Sequence, residues 1–292
     1  MRSRSWVMIF VIAIVIAGAV SFLVLLYLGS FLPDSGGLTF GEKVGLIEIE
    51  GSIWTSSPTV DEILQFARND DIRAIVVRIE SPGGVVAAAQ EIYEELNKVS
   101  ARGKPIVASM GGIAASGAYY IACGADSIVA NPGTLTGSIG VIMRFPQAEE
   151  LLRKIGIGFE VVKTGEYKDI GSISRPLTRE EKLLLGDLIE DVHEQFVSVI
   201  ALERNMEREE VLEFADGRLF TGRQAFEIGL VDTLGDFRDA VKLAAKMAGI
   251  DGEPVIVRPR RRVFTIWDVI EDLLATASKV TREGISLEYS IR

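Results

Sequence analysis

The chain has 292 residues, 48% of them hydrophobic, and a formal net charge of −10. That acidic balance excludes a dedicated nucleic-acid surface, which needs an excess of Lys and Arg to meet phosphates. The single cysteine, Cys123, excludes an internal disulfide and a thiolate metal cluster.

Arg2 and Arg4 lie in a short leading segment, residues 1–6, expected to be cytoplasmic. Residues 7–28 (VMIFVIAIVIAGAVSFLVLLYL) carry no charge and are long enough to cross a hydrocarbon core of ~30 Å as one helix. Trp6 and Tyr27 mark its ends, where amphipathic rings favour the interface, and the first charge beyond it is Asp34. The positive-inside bias therefore predicts a single-pass protein of the cell (inner) membrane, with everything past the anchor on the outer, periplasmic side. A cleaved signal peptide is the competing reading, with Ala17-Gly18-Ala19 as its cleavage site. Cutting there would leave apolar Ser21–Leu28 on the mature end, and the run exceeds the usual length of a signal-peptide core. Retention as an anchor in the lipid bilayer is the expectation. Residues 29–43, rich in Gly, Ser and Pro, read as a tether.

From there β-branched runs alternate with helical patterns. Val44–Ile49 reads as a strand, 59–68 as a helix and Ile72–Ile79 as a continuous apolar strand buried on both faces. Ser81-Pro82-Gly83-Gly84 is a turn, followed by helical periodicity over Val85–Val99. Pro105–Ser109 reads as a strand and Ala114–Cys123 as a short apolar helix, with short strands at Ser127–Ala130 and Phe159–Lys163. This alternation predicts an α/β fold with a mostly parallel sheet. From Thr178 the pattern turns helical, with capping boxes at Thr178–Glu181 and Thr221–Gln224. The α/β body is expected to span residues 44–250, followed by an extension over 251–292. Within it Phe264–Ala277 has helical apolar spacing, read as packing on the domain or a partner subunit, with membrane contact second. Arg258–Arg262 reads as a solvated loop, with anionic lipid as the second reading.

Three glycine-rich turns could carry chemistry, at 81–84, 111–117 and 133–140. None ends in the Gly-Lys-Ser/Thr of a phosphate loop, so no nucleotide cofactor is expected, and no metal either. Ser116 in the second turn sits at a helix start. This is a nucleophile's setting, because the hydroxyl is exposed near free N–H groups, but it is equally a common N-cap position. The only histidine, His193, lies in a long charged amphipathic segment and reads as a solvated helix residue. The search for a base therefore turns toward lysine. Arg175, before Pro176, reads as a local ion-pair partner.

Five blocks in order decide between these readings. They are SPGG at 81–84, MGGIAASGAYYIA at 110–122, TGSIGV at 136–141, GEYKDIGS at 165–172 followed by RPLTREE, and GRLFTGRQAFEIGLVDTLG at 217–235. In these the chain resembles the signal peptide peptidase A (protease IV) family of S49 serine peptidases, in its short, single-copy, membrane-anchored form. The resemblance implies a crotonase/ClpP-like spiral of ββα units with a helical C-terminal part. It implies Ser116 as nucleophile and Lys168 as general base. Gly83 is implied as an oxyanion donor together with Gly84 or Gly117, and Ser138 as a residue holding the lysine amine. It further implies hydrolysis of apolar peptides such as released signal peptides, no cofactor, and a homo-oligomer whose site takes Ser116 and Lys168 either from one chain or from neighbouring subunits. A lysine is normally protonated at neutral pH, with a pKa of ~10.4. Lys168 therefore acts as a base only if folding or assembly keeps it dry. The competing functions are an acyl-CoA enzyme on the same spiral and a non-catalytic scaffold.

Overall fold

Residues 41–259, together with positions 18, 21 and 22, are described by a computed structural model of the chain. The cytoplasmic tail, the remainder of the 7–28 anchor, most of the tether, and the amphipathic stretch Phe264–Ala277 lie outside the described residues. Among the described residues no helix is long and apolar enough to cross a membrane.

The body begins with β1 (Lys43–Glu50), α1 (Ser57–Ala67), β2 (Ile72–Ser81), α2 (Val86–Ser100), β3 (Ile106–Ala115), α3 (Gly117–Ala122) and β4 (Ser127–Ala130). β1, β2, β3 and β4 pair in parallel. The apolar run of β2 is explained by its two covered faces. Ile75, Val77 and Ile79 pack with Ile63 and Phe66 of α1, Ile92 and Leu96 of α2, and Tyr119 and Ile121 of α3. The alternate residues Ala74 and Val76 face a second cluster built on Ala240, Val241, Ala244 and Ala245 of α8 (Phe237–Met247). A strand side chain reverses face at every residue, so burial on both faces demands apolar residues at consecutive positions.

The remaining elements are short except for one helix. They are β5 (Leu135–Gly137), α4 (Glu149–Lys154), the long α5 (Arg179–Arg204), α6 (Arg208–Leu212), β6 (Leu219–Thr221), α7 (Gly222–Glu227), β7 (Thr233–Leu234) and β8 (Val255–Val257). The main path of the sheet runs β6-β5-β3-β2-β1-β8, with β4 on β3 and β7 on β4, and only the β5–β6 pair is antiparallel. The α/β expectation is met. Both predicted capping boxes are present, and Asp236 with Asp239 forms a third at α8.

Two predicted elements differ. β3 does not stop at Ser109 but runs through Gly111-Gly112 to Ala115, so the helix expected from Ala114 begins only at Gly117. The cause is a fork. The first half of β3, 107–110, pairs with β4, and its end, 113–115, pairs with β5. At the fork the register against β2 shifts, and the Glu80 carboxylate accepts from the N–H groups of Gly112 (2.8 Å) and Ile113 (3.2 Å). The fork carries the strand end out to Ser116. The strand expected at 159–163 does not form. Those residues are exposed and pair with no sheet edge, so their apolar alternation has nothing to bury against.

Candidate active site

Ser116 joins β3 to α3 with φ 55° and ψ −125°, a left-handed φ that a non-glycine residue adopts at a cost of roughly 1–3 kcal/mol. The conformation is held from both sides. Its N–H donates to the Gly137 carbonyl of β5 at 2.8 Å, and its carbonyl accepts from Tyr120 N–H at 3.0 Å. Its hydroxyl does not cap α3. The N-cap reading is therefore set aside: the turn presents the hydroxyl outward, and Ser116 Oγ has no hydrogen-bond partner among the described residues.

The SPGG turn lies against this elbow. Ile53 N–H donates to Gly83 O at 3.0 Å and Ile53 O accepts from Val85 N–H at 2.7 Å. This parallel bridge uses the groups on one side of the turn and directs Gly84 N–H the other way. A β-carbon on Gly84 would stand 2.0 Å from Ile53 O, and one on Gly83, where φ is +100°, would stand 2.8 Å from Gly117 N. Only glycines allow this approach. Gly83 N–H is already donated to Ser81 Oγ at 3.1 Å. Gly84 N–H and Gly117 N–H have no acceptor among the described residues. The donors available beside Ser116 are thus those of Gly84 and Gly117, with Gly83 supplying the bend.

A small cavity of about 30 Å³ opens beside Ser116, lined by Gly84, Val86, Ala89, Gln90, Tyr120, Val192 and Phe196 among others. Phe196 meets Tyr120 at 5.1 Å with the rings tilted, and Tyr120 meets Tyr93 edge-on at 5.1 Å, so packed aromatic rings back a mostly apolar wall. No carboxylate lines it among the described residues, which disfavours the acyl-CoA chemistry considered from sequence. Val192 and Phe196 come from α5 and were not singled out by sequence reasoning. Their apolar spacing in a charged helix was the available signal. His193, between them, is half-buried and bonds through Nε2 to the Ala215 carbonyl at 2.8 Å; it does not line the cavity. Cys123 is buried, and that burial pushes its thiol up to about 12, which leaves it without a thiolate to offer.

Ser138 follows the glycine on which Ser116 leans and is held at φ 51° by its N–H to the Arg218 carbonyl, 2.8 Å. Lys168 is placed differently. It lies in a run of turns, 165–172, is exposed, does not line the cavity, and has no hydrogen bond to Ser116 within the chain. Folding of one chain does not make it dry. The turns are pinned by ion pairs: Asp169 accepts from Lys163 and Arg175, and Arg175 also grips Glu181 at the start of α5. Arg175 thus pairs locally, as its sequence context suggested.

These pairs have a pH consequence. The Arg175 guanidinium, aided by the Thr178 N–H, holds the Glu181 carboxyl down at about 2, against 4.5 ordinarily. A depressed carboxyl contributes stability that is complete above about pH 4.5 and lost as pH falls toward 2. An NMR titration of the Glu181 carboxyl is expected to show a midpoint near 2. A midpoint at the ordinary value would mean that the clamp is absent in solution.

Comparison with known proteins adds to this geometry. The profile of peptidase family S49 matches residues 98–251, which include Ser116 and Lys168. The chain belongs to peptidase family S49. The Clp protease profile matches residues 47–133, the stretch from β1 to β4, so the α/β body is ClpP-like. A putative protease of Synechocystis sp. is 49% identical over 215 residues, 73% of this chain and 77% of its own length. A putative protease of Methanocaldococcus jannaschii is 32% identical over 263 residues, covering 85% and 83%. A putative signal peptide peptidase SppA of Enterococcus faecium is 36% identical over 185 residues, 63% of this chain and 54% of that protein. As an S49 member the protein is a peptidase. Within the S49 body the elbow, the SPGG turn and the β5 turn come together around Ser116, whereas Lys168 is exposed and bonds to none of them.

Proposed function

We propose that the protein is a membrane-anchored serine endopeptidase in which Ser116 attacks the substrate and Lys168 is the general base. The observation that carries this reading is Ser116 itself. Its hydroxyl is unbonded and held in a strained turn, beside two N–H groups without acceptors and an apolar cavity. Ser116 Oγ gives its proton to the neutral Lys168 amine and attacks the substrate carbonyl carbon. The carbonyl oxygen becomes an oxyanion that Gly84 N–H and Gly117 N–H can stabilise. Collapse breaks the C–N bond, and the leaving amine takes the proton from the Lys168 ammonium. Water, deprotonated by the same amine, then hydrolyses the acyl-enzyme and frees Ser116.

The lysine reaches this site from a neighbouring copy in a homo-oligomer. The stretch from Val141 to Ser174 exposes large apolar side chains, including Ile142 at 70%, Phe159 at 58% and Val162 at 96%. Large exposed apolar patches are rare on monomeric soluble proteins and mark interaction surfaces. Burial in an interface would also dry Lys168, as its chemistry demands. Residues 7–28 hold the body to the outer face of the inner membrane. The apolar cavity suits apolar peptides, and released signal peptides are the proposed substrates.

A fluorophosphonate probe tests the nucleophile directly. Peptide mapping of the labelled protein is expected to find the adduct on Ser116. Labelling of another serine, with hydrolysis lost in proportion, would reject the assignment.

A further inference from the structure

The proposed base has a carboxylate as its immediate neighbour. A carboxylate within about 4–6 Å of an amine stabilises the ammonium form, which cannot take the serine proton. The surroundings of Asp169 counter this. Oδ1 accepts from Lys163 Nζ at 2.6 Å and from Arg175 Nη2 at 2.9 Å, and Oδ2 accepts from Arg175 Nε at 3.0 Å. Arg175 is gripped on its other edge by Glu181, through Nη1 at 2.8 Å and Nη2 at 2.5 Å. Glu181 is itself buried and fixed in the capping box of α5, accepting from Thr178 N–H at 2.8 Å. Lys163 closes the turn by donating to the Glu166 carbonyl at 2.6 Å. The other charged side chain of the turn, Glu166, is exposed. Through all this the Lys168 amine has no hydrogen-bond or ion-pair partner among the described residues.

We propose that Arg175 is a positioning residue for the base. By clamping Asp169 to the buried Glu181, it fixes the turn that carries Lys168 and keeps the adjacent carboxylate off the amine. Arginine suits this because its planar fork serves two carboxylates at once, which a lysine ammonium cannot do with the same geometry. The inference rests on the Ser116–Lys168 reading and adds a residue to it.

The test is the pH dependence of kcat/KM for a fluorogenic apolar peptide, measured on the full chain. Arg175→Ala is expected to move the acidic limb up by about one pH unit, a loss of about tenfold at a pH below the limb. Adding Asp169→Asn is expected to bring the limb back, because the carboxylate next to Lys168 is then gone. A role confined to folding would lower activity at every pH, leave the limb where it was, and allow no such rescue. Lys163→Met, at the more exposed end of the network, is expected to shift the limb in the same direction by less, and it serves where Arg175→Ala fails to fold. An unmoved limb, or an Arg175→Ala/Asp169→Asn variant without rescue, overturns the proposal and leaves the dyad standing. Hydrolysis that survives Ser116→Ala or Lys168→Ala is a different failure, that of the underlying reading.

Discussion

Ser116→Ala and Lys168→Ala, each alone, are expected to lower hydrolysis of apolar peptides by about a million-fold, the scale of losing one member of a nucleophile–base pair. The more telling result concerns the two variants together. If Ser116 of one subunit meets Lys168 of the next, the contact is heterologous, and co-expressed variants will assemble some sites with both intact residues. Random mixing makes an intact site whenever a Lys168→Ala chain supplies the serine and a Ser116→Ala chain supplies the lysine. About a quarter of wild-type activity should return. A mixture as inactive as its components would place both residues in one chain and demand that the 165–172 turns fold back onto Ser116. The single chain favours the first outcome. The apolar side chains around the turns are uncovered, and the lysine is exposed while the serine elbow is complete.

The sequence made the sheet readable wherever burial is two-sided. Ile72–Ile79 had to be a central strand because alternate residues meet separate cores, Ile75 and Val77 the helices α1 to α3, Val76 and Ala74 the helix α8. Legibility failed where a strand is built without apolar side chains. Gly111-Gly112 continues β3 because the Glu80 carboxylate and the β5 edge satisfy it, and neither is local in sequence. It failed in the opposite sense at 159–163, where apolar alternation exists but no edge receives it. The site divides in the same way. The motif picked out Ser116, but its left-handed φ, which separates an elbow from an N-cap, depends on Gly137 across the sheet. The resemblance named Gly83 as the oxyanion donor, with Gly84 or Gly117 beside it. In the structure the Ser81 hydroxyl occupies Gly83 N–H and leaves Gly84 N–H free, which no local pattern of letters announces.

That distinction leads to the second large effect. Gly84→Ala is expected to lower kcat by about 10²–10³-fold with a much smaller change in KM, the pattern of an oxyanion donor lost from the transition state. The reason is geometric. The new methyl would stand 2.0 Å from the Ile53 carbonyl oxygen, so the SPGG turn must move away from Ile53 and the Gly84 N–H moves with it. The cavity beside Ser116 includes Gly84 but is walled chiefly by Ala89, Tyr120, Val192 and Phe196, which lie on the helices α2, α3 and α5. Ser81→Ala is the control. It frees Gly83 N–H without touching Gly84 N–H, so it should cost far less in kcat than Gly84→Ala does. Equal losses from the two would assign the oxyanion to the Ser81–Gly83 pair instead. A Gly84→Ala enzyme with unchanged kcat would remove the SPGG turn from the oxyanion site altogether.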